Sequence, residues 1–169
     1  ADGGEGTTEA LIDGLNGKLQ RVEVTGPLGA KVNAEYGFVK DDSLAIIEIA
    51  EACGLPLLTD DELDPYKATT FGVGEMIDHA YENGARKFII GLGGSATNDG
   101  GVGMLQALGY QFLDEHGAEL EPGGGALSKI DKVIKTPDAS KFDDGHFRVA
   151  CDVNNLLYGP DGATYVFGS

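Results

Sequence analysis

The stretch I-G-L-G-G-S-A-T-N-D-G-G-V-G-M-L, Ile90 to Leu105, carries six glycines between Gly91 and Gly103, with Ser95, Thr97, Asn98 and Asp99 set among them. Glycine loses more conformational entropy on folding than any other residue, so such a cluster is costly unless bare backbone is needed. Lys87 to Ile90 reads as a short buried strand entering the loop, and Gly101 to Leu108 as a helix leaving it. A strand end, successive free amides and a helix N-terminus form an anion site. Ser95 and Thr97 add hydroxyl donors. Asp99 cannot bind an anion directly, so it points to Mg²⁺, to a proton acceptor, or to a cap on the following helix, a role open to Asn98 as well.

Outward from this stretch, helices and strands alternate in places and hairpins occur in others. Thr7 or Thr8 can cap a short helix with Ala10, Leu11, Ile12 and Leu15 on its apolar side and Gly17 past its end. Leu19 to Val24 alternates, Thr25 to Gly29 turns, and Val32, Ala34, Tyr36 and Phe38 share one face of the next strand. The apolar run Leu44 to Ala50 suits a strand buried on both faces. Pro56 to Lys67 is a polar loop, and Gly72 to Asn83 a helix stopped by Gly84. Tyr110 to Leu113 is a strand, Asp114 to Gly117 a hairpin turn, and further strands fall at Ile130–Ile134 and His146–Val153. The expected fold class is mixed α/β (α+β), a mixed sheet with flanking helices.

Composition narrows the function. The chain has 169 residues, with 28 acidic against 12 basic and a net charge of −16, which argues against a nucleic-acid partner. No run of about 18 apolar residues suggests a membrane span. Cys53 and Cys151 lack a CxxC spacing and read as reduced thiols of a cytoplasmic protein. The chain starts within a glycine-rich loop and closes within another, as expected of a piece of something longer.

Known phosphate motifs fit poorly. Gly91 to Ala96 matches the dinucleotide fingerprint G-x-G-x-x-A, with Asp114 at about the right distance, and a stand-alone dinucleotide- or small-anion-binding module is the alternative reading. Against it, Gly100-Gly101 postpones the helix, and the Asp114 region reads as a hairpin. The Walker sequence and the protein-kinase signatures are absent. His79, His116 and His146 lie in no ligand-like spacing and read as structural or exposed. Three further loops share the character of the first: A-D-G-G-E-G-T (1–7) with Asp2 and Glu5, T-T-F-G-V-G-E (69–75) with Thr70, and A-C-D-V-N-N-L-L-Y-G-P (150–160) with Asp152 and Asn154 at a strand end. Four such loops exceed what packing requires and look like parts of one site.

These segments, together with V-T-G-P-L-G (24–29) and G-A-T-Y-V-F-G (162–168), resemble the bacterial type-1 glycerate kinases in order along the whole chain. The resemblance implies an ATP-dependent kinase of D-glycerate, giving 2-phosphoglycerate or 3-phosphoglycerate, with Mg²⁺. It also implies two α/β domains with the active site in the cleft between them. Residues 1–17 would then be the crossing loop and short helix leading in from the missing N- and C-terminal domain, and 18–169 the inserted domain, inactive alone. Two departures stand out: Asn155-Leu156-Leu157 replaces the usual Asn-Pro-Leu, and Ser169 stands where the family has proline. With the family come roles. The Gly93, Gly94 and Ser95 amides, with the Ser95 and Thr97 hydroxyls, would hold the carboxylate. Asp99 or Asp152 would bind Mg²⁺ or accept the hydroxyl proton, with Asp152 preferred for the metal and Asp99 for the base. Asn98 and Asn154 would orient ligands or merely hold their own turns, Thr70 would bind substrate, and Asp2 and Glu5 are second candidates for metal or substrate hydroxyls.

Overall fold

The structure, a computed structural model, describes residues 8, 12, 14–151, 159 and 162–164. Its frame is a five-stranded sheet in the order β1-β2-β3-β4-β7. β1 (Lys18–Thr25) and β2 (Lys31–Val39) form an antiparallel ribbon, from Lys18 opposite Phe38 to Thr25 opposite Lys31. The Gly26 amide donates to the Ala30 carbonyl at 2.7 Å to close the expected turn. Ala34 and Tyr36 are fully buried, as the alternation predicts. β3 (Leu44–Glu48) is antiparallel to β2 but parallel to β4 (Lys87–Gly91), which is itself parallel to β7 (His146–Ala150). The mixed sheet of the sequence reading is therefore present.

β3 ends at Glu48, two residues before the expected Ala50, because the backbone there turns into α1 (Ala50–Cys53). The Cys53 amide donates to the Ile49 carbonyl and the Gly54 amide to that of Ala50, both at 2.9 Å. An unbroken apolar run hides such a change of period, since a buried turn of helix and a buried strand are equally apolar.

α2 (Phe71–Glu82) covers one face of the sheet, burying Val73, Met76, Ile77 and Ala80 with Tyr36, Ile47 and Phe88. Each fully buried side chain of this size contributes roughly 1.5–3 kcal/mol. Gly84, at φ 103°, ends the segment in the left-handed region as expected. α3 (Val102–Ala107) crosses α2 so closely that a Cβ on Gly74 would fall 2.4 Å from the Met104 carbonyl oxygen.

On the opposite face, Thr8, Ile12, Gly14 and Leu15 are helical. Ile12 is buried, but Leu15, expected on the apolar side, is 43% exposed. Asn16 at φ 54°, rather than Gly17, makes the left-handed turn at the end, and the Gly17 amide returns to the Ile12 carbonyl at 2.9 Å.

β5 (Tyr110–Leu113) pairs antiparallel with β6 (Lys132–Lys135) in a second, two-stranded sheet. β6 starts two residues later than expected because Ile130 still closes a 3₁₀ turn onto Leu127. The Asp114 carboxylate accepts the His116 and Ala118 amides, both at 2.9 Å, which makes the anticipated hairpin turn. That turn and the late start of α3 at Val102 remove both features a dinucleotide fingerprint needs. A short helix, α4 (Pro137–Ser140), precedes β7. No helix among the described residues is long and apolar enough to cross a membrane.

Candidate functional site

β3, β4 and β7 run parallel and finish level, with Glu48 opposite Gly91 and Gly91 opposite Ala150. Ligands of open α/β sheets bind beyond such carboxyl ends, and here the glycine loop leaves β4. Two backbone bonds of 3.1 Å fix its start: the Ile49 amide donates to Gly91, and the Leu92 amide to Ala150. The loop then bridges to the segment after α1, Leu55 donating to the Gly94 carbonyl at 3.0 Å and Ala96 to that of Cys53 at 2.8 Å. A residue flanked by such a pair of bonds points its own amide away from the partner strand. Among the described residues, the amides of Gly93, Gly94 and Ser95 meet no protein acceptor. Gly94 is exposed at φ 72°, a conformation that suits glycine.

The two loop hydroxyls are organised. The Thr97 amide donates to Ser95 Oγ at 3.1 Å, and the two hydroxyl oxygens lie 2.7 Å apart. Beneath them Cys53 Sγ sits 3.9 Å from Ser95 Oγ and donates to the Ile49 carbonyl at 3.2 Å. Burial pushes the Cys53 thiol up to about 11, so it stays protonated and serves as packing.

Asp99, the candidate base, is tied into the fold by hydrogen bonds. It is 1% exposed. One oxygen takes the Gly101 amide at 3.0 Å, the other the amides of Thr70 at 2.8 Å and Gly103 at 3.1 Å. The Thr70 hydroxyl reaches both oxygens, at 3.1 and 2.9 Å, and itself accepts the Met104 amide at 2.9 Å. A buried carboxylate on which these donors converge completes two helix starts at once. At the start of α3 the Gly103 and Met104 amides are taken by Asp99 and Thr70, so these two are not free donors for an anion. Thr70, 8% exposed, belongs to the same clasp.

Asn98 accepts the Thr164 hydroxyl on Oδ1 at 3.2 Å, so it ties the 162–164 stretch to the loop. Asp2, Glu5, Asp152 and Asn154 lie outside the described residues. Among the described residues, no group of three or more His, Cys, Asp or Glu could hold a metal ion. Of the histidines, His79 meets the Tyr36 hydroxyl at 2.9 Å, while His116 and His146 are exposed.

One residue escaped the sequence reading. Glu48 is 6% exposed at the carboxyl end of β3 and accepts the Thr8 amide on Oε1 at 2.8 Å. Its signal was a single carboxylate closing the apolar run Leu44–Ile47, a residue type rarely buried without a reason.

The family model for glycerate kinases matches residues 1–169. The glycerate kinase of Bacillus subtilis (strain 168) is 51% identical over 168 residues, covering 99% of this chain and 44% of that protein. The glycerate 2-kinase of Escherichia coli (strain K12) is 48% identical over the same length, with the same shares covered. A crystal structure of a protein assigned as glycerate kinase 2 from Salmonella typhimurium LT2 superposes with a TM-score of 0.94 at 47% identity, over 99% of this chain and 46% of that one. The chain thus spans a little under half the length of the curated relatives it matches.

Proposed function

The chain belongs to the glycerate kinase family over residues 1–169, and on that premise we propose that it forms the glycerate-binding half of an ATP-dependent kinase. Its substrate is D-glycerate, its product 2-phosphoglycerate or the 3-phosphate isomer, and its setting the cytoplasm. Residues 1–17 are the crossing loop and short helix, and 18–169 the inserted domain. The cleft is shared with a domain built from the flanking parts of the longer protein, so this segment alone is inactive.

The observation that carries this reading is the run of amides at Gly93, Gly94 and Ser95 with no acceptor among the described residues, beside the Ser95–Thr97 hydroxyl pair. With a net charge of −16 the chain as a whole repels anions. A carboxylate therefore needs local donors, and three successive amides supply them. Phosphoryl transfer is mostly positioning and charge neutralisation. The substrate hydroxyl oxygen bonds to the γ-phosphorus, the bond to the ADP oxygen breaks, and the hydroxyl proton leaves to a carboxylate. Asp99 is assigned to holding the α2–α3 junction rather than to proton transfer, since it is buried and takes three backbone amides. Asp152 takes the role of metal ligand or proton acceptor, with Asp2, Glu5 and Asn154 as hydroxyl partners. Mg²⁺, when bound, neutralises the transferring phosphoryl group. Asp152 would be its protein ligand.

The test is an amide NMR titration with D-glycerate, L-glycerate and Mg-ATP in turn. Selective shifts at Gly93 to Thr97 with the D isomer are expected. Shifts elsewhere, or equal response to both isomers, would remove the carboxylate from this loop.

A further inference from the structure

We propose that Glu48 is a positioning residue of the site: by taking the Thr8 amide, its buried carboxylate fixes where the chain entering the site at Thr8 stands relative to the glycine loop. This rests on the functional reading above, which places Asp2 and Glu5 just ahead of Thr8.

Glu48 and Ile49 are adjacent and tie down both approaches to the site. The Glu48 side chain receives Thr8 across 40 residues, at 2.8 Å. The Ile49 amide holds the Gly91 carbonyl at 3.1 Å, at the point where the glycine loop begins. One dipeptide at the end of β3 therefore sets the separation of two segments that come from opposite sides of the sheet order.

The helical segment is held against the same face by packing. A Cβ on Gly37 would lie 2.5 Å from Ile12 Cγ2, 3.0 Å from Thr8 Cγ2 and 3.6 Å from Ile46 Cβ. Ile46 and Glu48, two apart on β3, point to that one face. Packing at Gly37 and the Gly17 amide on the Ile12 carbonyl hold the end of the segment at Ile12, and the Glu48–Thr8 bond adds a directional restraint at Thr8.

Folding asks for an acceptor here, because the buried Thr8 amide needs one, but not for a charged one. The neighbours Ala45, Ile46, Ile47 and Ile49 are all apolar and buried, and an apolar side chain would complete the row without desolvating a charge. Among the described residues the Thr8 amide is the hydrogen bond Glu48 receives, and the field of the helix start partly offsets burial of the charge. An acceptor of this cost at a strand end, holding the Thr8 amide, is the mark of a placement requirement.

Two substitutions separate placement from charge and from folding. Glu48→Gln keeps an oxygen acceptor for Thr8 and removes the charge; Glu48→Val fills the space and removes the acceptor. The first measurement is amide hydrogen exchange at Thr8, with Ile46, Ile47 and Ile77 as core references. Glu48→Val is expected to speed Thr8 exchange at least tenfold with the core unchanged, and Glu48→Gln to stay within about threefold of the parent. The second is the D-glycerate affinity read at Gly93 to Ser95, expected to fall about tenfold in Glu48→Val and to be restored in Glu48→Gln. Unchanged Thr8 exchange in Glu48→Val overturns the proposal, and so does Thr8 release with full glycerate affinity. Equal loss in both variants overturns it as well, since charge and not placement would then be the role. If the parent chain itself ignores glycerate, the functional reading fails separately, and the exchange result alone decides whether Glu48 places Thr8.

Discussion

Thr70 and Asp99, 29 residues apart, close the junction between α2 and α3 through one hydroxyl and one carboxylate. The Thr70 hydroxyl lies 2.9 Å from Asp99 Oδ2 and accepts the Met104 amide at 2.9 Å, while its own amide donates to Oδ2 at 2.8 Å. Thr70 stands before α2 and Asp99 before α3, so each helix start is completed by the residue preceding the other. The T-T-F-G segment and the far end of the glycine loop are thereby joined, whereas the Gly93–Ser95 half of the loop lies outside this clasp.

Asp99→Asn is expected to destabilise the fold by about 2–4 kcal/mol. At an ordinary helix cap Asn replaces Asp at little cost. Here donors converge on both oxygens, and an Asn would turn its amide nitrogen toward one set of them, leaving buried donors unpaired. Urea unfolding of the two proteins checks this. A midpoint equal to that of the parent would mean that Asp99 is an ordinary cap.

Gly103→Ala tests the same junction sterically. Alanine inside a helix normally stabilises over glycine by roughly 0.5–1 kcal/mol. A Cβ at Gly103, however, would sit 2.1 Å from Thr69 Oγ1 and 2.9 Å from Asp99 Oδ2. The expected outcome is a loss of about 1–3 kcal/mol, the range for overpacking. Thermal unfolding reads the sign directly, and a stabilised variant would show that the clasp can open without penalty.

Much of this was legible along the chain, and the exceptions share a cause. α2 could be read because its apolar period and the Gly84 stop are local, and β2 because Val32, Ala34, Tyr36 and Phe38 alternate. The end of β3 could not be, since Ile49, Ala50 and Ala52 continue the apolar run through a change of backbone. A cap was among the readings open for Asp99, and its Gly101 and Gly103 donors are local, but the Thr70 amide and hydroxyl reach it only through the fold. Glu48 was passed over for the same reason: its partner Thr8 lies 40 residues away. Sequence places groups in loops, whereas saturation of a carboxylate is a tertiary property.

Alkaline pH is expected to weaken the fold in two steps. Burial raises Cys53 from 9.0 to about 11 and Tyr36 from 10.0 to about 12. Both groups ionise earlier in the unfolded chain than in the folded one, so their contributions are complete below about pH 9. The cysteine share is lost as pH rises from 9 to 11 and the tyrosine share from 10 to 12, on the order of 2 kcal/mol each. Urea unfolding at pH 8, 10 and 11 should show the decline, and Cys53→Ala should flatten its first part. A flat stability across this range in the parent would refute the burial argument for both groups.

Ser95→Ala separates the hydroxyls from the amides in the glycerate reading. The substitution removes the acceptor of the Thr97 amide and one of the two paired hydroxyls, yet leaves the Gly93 to Ser95 amides in place. Loss of one hydrogen bond to a carboxylate amounts to about 1.5–3 kcal/mol. D-glycerate affinity should therefore fall by roughly ten- to a hundredfold. Because Ser95 is only half-buried, stability should change by less than about 1 kcal/mol. Gly94→Ala should act through the amides instead, since a side chain at φ 72° is strained and its Cβ would approach Ala50 Cβ at 3.3 Å. Calorimetric titration of both variants against the parent distinguishes the contributions. If Gly94→Ala binds D-glycerate as the parent does while Ser95→Ala does not, the hydroxyls hold the carboxylate and the free amides serve some other group.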